Sequence, residues 1–216
     1  MTDKRLLRKK IGLILRNVSS QEIERQSRNI TNSVIPLLRT CRSVACYMSM
    51  ESGEVATQYL LKHLFDEGKT VYLPRCTSTE ETGHVVLREP KRNYPHLTFH
   101  KMQSWQQIQE LKPQGKYRLR EPAREHPDPL PAQLDVVLVP GVAFSLKNGG
   151  RLGHGGGYYD DFFRRYKLQH NGGKPLLIGL SLNEQIVEGI DLEIHDQKMD
   201  CIVTGDGDIR WVELPK

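Results

Sequence analysis

The chain has 216 residues, of which 38% are hydrophobic and 26% charged, with a formal net charge of +5 at pH 7. These values describe a soluble globular protein and exclude a disordered or collagen-like chain. No apolar run approaches the roughly 20 residues that cross a bilayer, and no apolar secretory core opens the sequence. The length admits one large domain or two small ones, and a single domain over residues 1–216 is expected. Cys41, Cys46, Cys76 and Cys201 show neither a C-x-x-C pair nor a zinc spacing, which points to free thiols in a reducing compartment.

Residues 3–18 read as a basic amphipathic helix with Leu7, Ile11, Ile14 and Val18 on one stripe. The charge excess sits here: Lys4, Arg5, Arg8, Lys9, Lys10 and Arg16 oppose only Asp3. Such a cluster suits a polyanionic ligand. Nucleic acid is not the expected one, because interleaved aromatics and known nucleic-acid modules are absent. Ser19 and Glu22 form a capping box for a second helix carrying Ile23, Ile30 and Val34, which Pro36 ends. Ser43–Met48 reads as a strand, Val55–Glu67 as a helix closed by Gly68, and Thr70–Leu73 as a strand. A strand is expected over His84–Arg88 and a short helix over 103–111. Residues 112–133 hold five prolines and read mostly as loop. Later strands are expected at 135–139, Leu176–Leu180, Cys201–Thr204 and Ile209–Leu214, with a helix over Tyr158–Leu168. Strands alternating with helices imply an α/β fold with a mainly parallel sheet covered on both faces.

The segment Arg151-Leu-Gly-His-Gly-Gly-Gly-Tyr-Tyr-Asp160 carries the most chemical information. It lies between the strand at 135–139 and the helix at 158–168. Gly153, Gly155, Gly156 and Gly157 let backbone N–H groups approach a ligand without a side chain in the way. The following helix directs its unpaired N–H groups and positive dipole end at the same place, which suits phosphate. Arg151 can add a bidentate charged contact, and Asp160 can hold magnesium. The segment is not a Walker A loop, since no Gly-Lys-Ser/Thr follows, and Tyr158 replaces the third glycine of a dinucleotide fingerprint. A tight strand-to-helix connection would explain the glycines alone.

In order along the chain stand Lys4-Arg-Leu-Leu-Arg8, Tyr47-Met-Ser-Met50, Glu54, Tyr72-Leu-Pro-Arg75, Leu119-Arg-Glu-Pro122, Val139-Pro-Gly-Val-Ala-Phe144, the glycine-rich segment, Ile194-His-Asp196 and Met199-Asp200. On these motifs the chain resembles the 5-formyltetrahydrofolate cyclo-ligase family, also called 5,10-methenyltetrahydrofolate synthetases. The resemblance implies a Rossmann-like three-layer fold, similar to sugar-phosphate isomerases and CoA transferases. It implies ATP- and Mg2+-dependent cyclisation of 5-formyltetrahydrofolate to 5,10-methenyltetrahydrofolate, with release of ADP and phosphate. The expected route phosphorylates the formyl oxygen, and the anilinic nitrogen then displaces phosphate from the iminium phosphate. Such chemistry asks for positioning and charge stabilisation and needs no catalytic triad.

By resemblance, Arg151 and Asp160 carry the catalysis. ATP meets Lys4, Arg5, Arg8, Arg151, Leu152, Gly153, His154, Gly155, Gly156, Gly157, Tyr158 and Tyr159. Met48, Met50, Glu54, His154, Gly155, Gly156, Gly157 and Tyr158 meet the folate. Asp160 and Asp196 hold Mg2+, with His195 a neighbouring loop residue. Each has a plainer alternative: a solvated basic face for Lys4 and Arg8, core filling for Met48 and Met50, a helix cap for Glu54, the helix dipole for Asp160 and a turn for Asp196. His154 stands where the family often has arginine or tyrosine, and neutral imidazole lacks that charge. A monomer in the cytoplasm is expected, with mitochondrial import through the basic amphipathic N-terminus as the alternative. The rival functions are an anion- or RNA-binding protein on the same loop, and an ATP-dependent enzyme acting on another pterin or amide.

Overall fold

The structure is a computed structural model and describes residues 3–50, 53–82, 95–115, 118–125, 127–128, 130–194 and 196–212. The strand expected at His84–Arg88 and the residue His195 lie outside the described residues. The elements run α1 (Lys4–Leu15), α2 (Ser20–Leu37), β1 (Ser43–Ala45), α3 (Gln58–Asp66), β2 (Thr70–Ser78), α4 (Thr79–Thr82), β3 (Pro95–Met102), α5 (Trp105–Gln109), β4 (Pro113–Gln114) and β5 (Leu119–Arg120). They continue with β6 (Val136–Val139), β7 (Ala143–Ser145), β8 (Arg151–Leu152), α6 (Tyr158–Gln169), β9 (Leu176–Ser181), a 3-10 turn at Asn183–Gln185, β10 (Ile186–Val187), β11 (Cys201–Thr204) and β12 (Ile209–Trp211). No helix among the described residues is long and apolar enough to cross a membrane.

The main sheet has the order β12-β11-β9-β6-β1-β2-β3. Its interior pairs are parallel, and β3 and β12 join antiparallel at the two edges. The chain starts at β1, moves one way to β2 and β3, then returns to β6 and moves the other way. The reversal between β1 and β6 opens a crevice at the carboxyl ends of the strands, where such sheets bind ligands.

Period-two side-chain alternation divides the core into two layers. Val44, Val136, Leu138, Ile178, Leu180 and Val203 face α1, α2 and α3, where Ile11, Ile30, Val34 and Leu60 meet them. Ala45, Val137, Val139, Leu177 and Ile202 face α6, which presents Phe162, Phe163 and Tyr166. The parallel strands are buried on both faces and hence read as unbroken apolar runs.

Several boundaries differ from the sequence reading. The apolar stripe of α1 uses Ile11 and Leu15, while Ile14 is exposed. A spacing of four follows the 3.6-residue turn onto the sheet better than the three that reaches Ile14. Ser19 caps α2 as expected, its hydroxyl accepting the Glu22 N–H at 3.1 Å, but the Glu22 carboxylate accepts from Arg25 and Gln26. Strand β1 stops at Ala45, after which residues 47–50 leave the sheet to wall the crevice. Strand β2 passes through Pro74 to Ser78 and pairs with β3 over eight residues. Tyr72, Pro74 and Cys76 turn their backbone groups toward the β1 side, where the Tyr72 carbonyl accepts from Cys46. Among the described residues no strand stands there beyond Ala45, so the N–H that Pro74 lacks has no ladder partner to lose.

Candidate active site

A cavity of about 530 Å3 opens at the β1/β6 crevice. Its floor is the glycine-rich segment. Strands β7 and β8 form a small antiparallel pair, Ala143 opposite Leu152 and Phe144 opposite Arg151, with β10 added parallel to β7. This pair, which the sequence reading missed, aims residues 153–157 back over the crevice. Gly155 (φ 99°) and Gly157 (φ 72°) occupy left-handed conformations, and Gly157 is the N-cap of α6. A Cβ on Gly156 would lie 2.8 Å from the Tyr158 ring. The turn at residues 153–157 and the start of α6 line the cavity.

Helix α1 lies across one side. Asp3 caps it by accepting the N–H groups of Arg5 and Leu6, which places Lys4 and Arg8 on the cavity face. Arg8 Nε donates to the Gly153 carbonyl at 2.7 Å, and its guanidinium packs over Gly155. Lys4 Nζ reaches Asp196 at 2.7 Å and Glu193 at 2.9 Å. Burial opposes the Lys4 charge, but hydrogen bonds donated to those two carboxylates outweigh it and raise its pKa above the ordinary lysine range. Arg5 is exposed and does not line the cavity, unlike the other expected site residues.

Arg151 and Asp160, expected to act separately on phosphate and metal, are joined. Arg151 Nη2 donates to Asp160 Oδ2 at 3.0 Å, and the two side chains are 5% and 17% exposed. Arg151 Nη1 reaches the Pro140 carbonyl at 3.4 Å, and its buried Nε has no partner among the described residues. Asp160 Oδ1 accepts the Gln197 N–H at 3.2 Å, which brings the loop holding Asp196 against the start of α6. Both carboxylates expected to hold Mg2+ thus line the cavity with the glycine-rich segment. No cluster of three or more metal-type side chains occurs among the described residues. Two hard carboxylates without a full cage suit Mg2+, which keeps waters and takes the rest of its shell from phosphate oxygens.

The opposite wall is formed by Met48, Met50 and Glu54. Glu54 is 8% exposed and accepts the Met50 N–H at 3.1 Å, while Oε1 lies 3.9 Å from Nε2 of His154. Tyr47 is buried and Tyr159 half-buried, and loss of solvent holds both phenols well above their ordinary pKa, so their hydroxyls remain protonated. Cys76 borders the cavity, and burial with Glu121 beside it pushes its thiol up to about 12.

The sequence reading left residues 89–131 without a role. Leu119, Arg120 and Glu121 close the cavity on the β2/β3 side. The signal available was the Glu121-Pro122 pair, since proline forces the preceding residue into an extended conformation that projects its side chain. A second cavity of about 500 Å3, lined by Arg42, Asp135, His170 and Lys174 among others, lies at the opposite ends of β1, β6 and β9 and holds none of the expected residues.

The doubly wound sheet and its switch-point cavity define a Rossmann-like α/β protein with a glycine-rich loop at the cavity. The model of the 5-formyltetrahydrofolate cyclo-ligase family matches residues 1–205. The chain belongs to that family. The 5-formyltetrahydrofolate cyclo-ligase of Saccharomyces cerevisiae is 51% identical over 217 residues, covering 99% of this chain and 100% of its own. The mouse enzyme of the same name is 31% identical, covering 94% of each. The solution structure of Aquifex aeolicus 5,10-methenyltetrahydrofolate synthetase superposes with a TM-score of 0.72 at 25% identity, covering 100% of this chain and 95% of that one.

Proposed function

We propose that this protein converts 5-formyltetrahydrofolate to 5,10-methenyltetrahydrofolate, consuming ATP and releasing ADP and phosphate. The observation that carries the reading is that the glycine turn at the start of α6 lines one cavity together with Met48, Met50 and Glu54. One wall offers phosphate donors, and the other offers apolar, polarisable side chains with a buried carboxylate.

The formyl group is an amide and a poor electrophile. Transfer of the γ-phosphoryl group to its oxygen gives an iminium phosphate. The anilinic nitrogen attacks the formyl carbon, the C–O bond breaks as phosphate leaves with the former formyl oxygen, and the departing phosphate takes the N–H proton of that nitrogen. The residues needed are those that position and neutralise. The N–H groups at Gly155–Tyr158 receive the phosphates, Arg8 stands over Gly155, and Lys4 links Asp196 to the same corner. Asp160 and Asp196 would hold Mg2+, which neutralises charge developing on the transferred group. Arg151 orients Asp160 from beneath. Glu54 accepts hydrogen bonds from the pterin, and Met48, Met50 and Tyr158 flank its rings. Protonated Tyr47, Tyr159 and Cys76 offer no base or nucleophile, and none is needed.

The test mixes purified protein with 5-formyltetrahydrofolate, ATP and Mg2+ and follows the near-ultraviolet absorbance of the methenyl product. A rise that requires all three additions supports the reading. A folded protein that binds ATP without any rise would move the search to other acceptors.

A further inference from the structure

The cavity contains five cationic or potentially cationic side chains, and most are committed. Lys4 pairs with Asp196 and Glu193, Arg151 pairs with Asp160, and His154 approaches Glu54. Arg8 and Arg120 remain without a carboxylate among the described residues. Arg8 lies on the glycine turn and is accounted for by phosphate. Arg120 lies elsewhere. It is on β5, on the flank of the cavity formed by Cys76 of β2 and Leu97 of β3. The glycine turn follows β8 and opens α6, whereas Arg120 stands on the hairpin beside β2 and β3.

The position of Arg120 is built. The Glu121 carboxylate accepts the Cys76 N–H at 2.8 Å. The buried Arg75 guanidinium donates to the Pro122 carbonyl at 2.5 Å and to Gln114 on β4 at 3.4 Å. Both strands of the β4/β5 hairpin are thereby tied to β2, so little conformational freedom is lost when Arg120 binds a ligand.

We infer that Arg120 binds the glutamate carboxylates of the folate, which makes the β4/β5 hairpin the tail-recognition element of this site. The inference rests on the proposed function, because it needs a ligand with rings at the Met48–Glu54 wall and an anionic group one benzoyl length beyond. A guanidinium fork fits a carboxylate at a solvent-facing rim and imposes no limit on the chain of glutamates that continues outward.

The test compares kcat/KM for 5-formyltetrahydrofolate carrying one or three glutamates with that for the primary amide of 5-formyltetrahydropteroate, which carries neither glutamate nor a free carboxylate, in the parent and in R120Q and R120E. The expected result is a fall in the glutamylated-to-tailless ratio of about tenfold in R120Q, the scale of one charge-assisted contact, and more in R120E. A ratio equal to the parent's in both variants overturns the inference, and so does a rise confined to the KM for ATP. If the parent turns over none of the three substrates, the proposed function fails, and calorimetry of p-aminobenzoylglutamate against p-aminobenzamide still reads Arg120. Tighter binding of the glutamate conjugate that is lost in R120Q supports the tail site, and equal binding of the two probes by the parent overturns it.

Discussion

Replacing Asp160 with alanine should cost stability as well as activity. Arg151 is 5% exposed, and Asp160 is the sole carboxylate paired with it among the described residues. Its Nε has no partner, and the contact to the Pro140 carbonyl is long at 3.4 Å. D160A therefore leaves a buried guanidinium without a counter-ion, a change that costs about 3–5 kcal/mol. Asp160 is itself 17% exposed, so water replaces part of the lost pairing and the lower end, about 3 kcal/mol, applies. R151M should cost less, about 1–2 kcal/mol, because Asp160 keeps the Gln197 N–H and lies nearer solvent. In the double variant R151M/D160A neither charge is stranded, and the effects should fall short of additive by about 2 kcal/mol. Urea denaturation of the four proteins with a common slope measures the cycle. A cost below about 1 kcal/mol for D160A, or singles that add within about 0.5 kcal/mol, would refute the claim that Asp160 neutralises a buried Arg151.

Gly157→Ala places a Cβ in open space but at φ 72°, so its cost is conformational alone, roughly 1–2 kcal/mol. A calorimetric Tm lower by about 3–6 °C is expected, and an unchanged Tm would remove the left-handed cap from the account. Phe162→Ala empties a fully buried site whose ring centroid is 4.5 Å from that of Phe99, and should cost about 3–5 kcal/mol in urea denaturation. Asp135 gives a pH signature. Burial raises its pKa, but the N–H groups of Ser43 and Arg42, at 2.9 and 2.6 Å, outweigh that and hold it below the ordinary carboxylate range. A folded pKa below the unfolded one stabilises at high pH and is lost on acidification. The stability difference between parent and D135N should be full at pH 7 and shrink as pH falls below about 4, and a gap that widens on acidification would reverse the sign assigned to Asp135.

The central fold was legible because its signals are local. Unbroken apolar runs at β6, β9 and β11 and the capped helices each announce themselves within ten residues. Strand β3 was not recognised because His96, Thr98 and His100 alternate with Leu97 and Phe99, and all five are buried, so neither face reads as core. The β7–β8–β10 sheet escaped because its strands are two or three residues long and flanked by glycines that signal turn. The glycine turn and the wall from Met48 to Glu54 were found because motif spacing carries them. The Arg151–Asp160 pair spans a turn whose geometry no spacing rule supplies. The hairpin carrying Arg120 depends on Arg75 reaching Pro122, 47 residues away, and long-range contacts of that kind leave no trace in a single sequence.

The most direct measurement follows the formyl oxygen. With substrate labelled by 18O at the formyl group, a single turnover with ATP and Mg2+ should deliver the label to released phosphate, seen as an isotope-shifted phosphorus resonance. Unlabelled phosphate accompanying formation of the methenyl product would contradict phosphoryl transfer to the formyl oxygen, and with it the role given to the glycine turn and its cations.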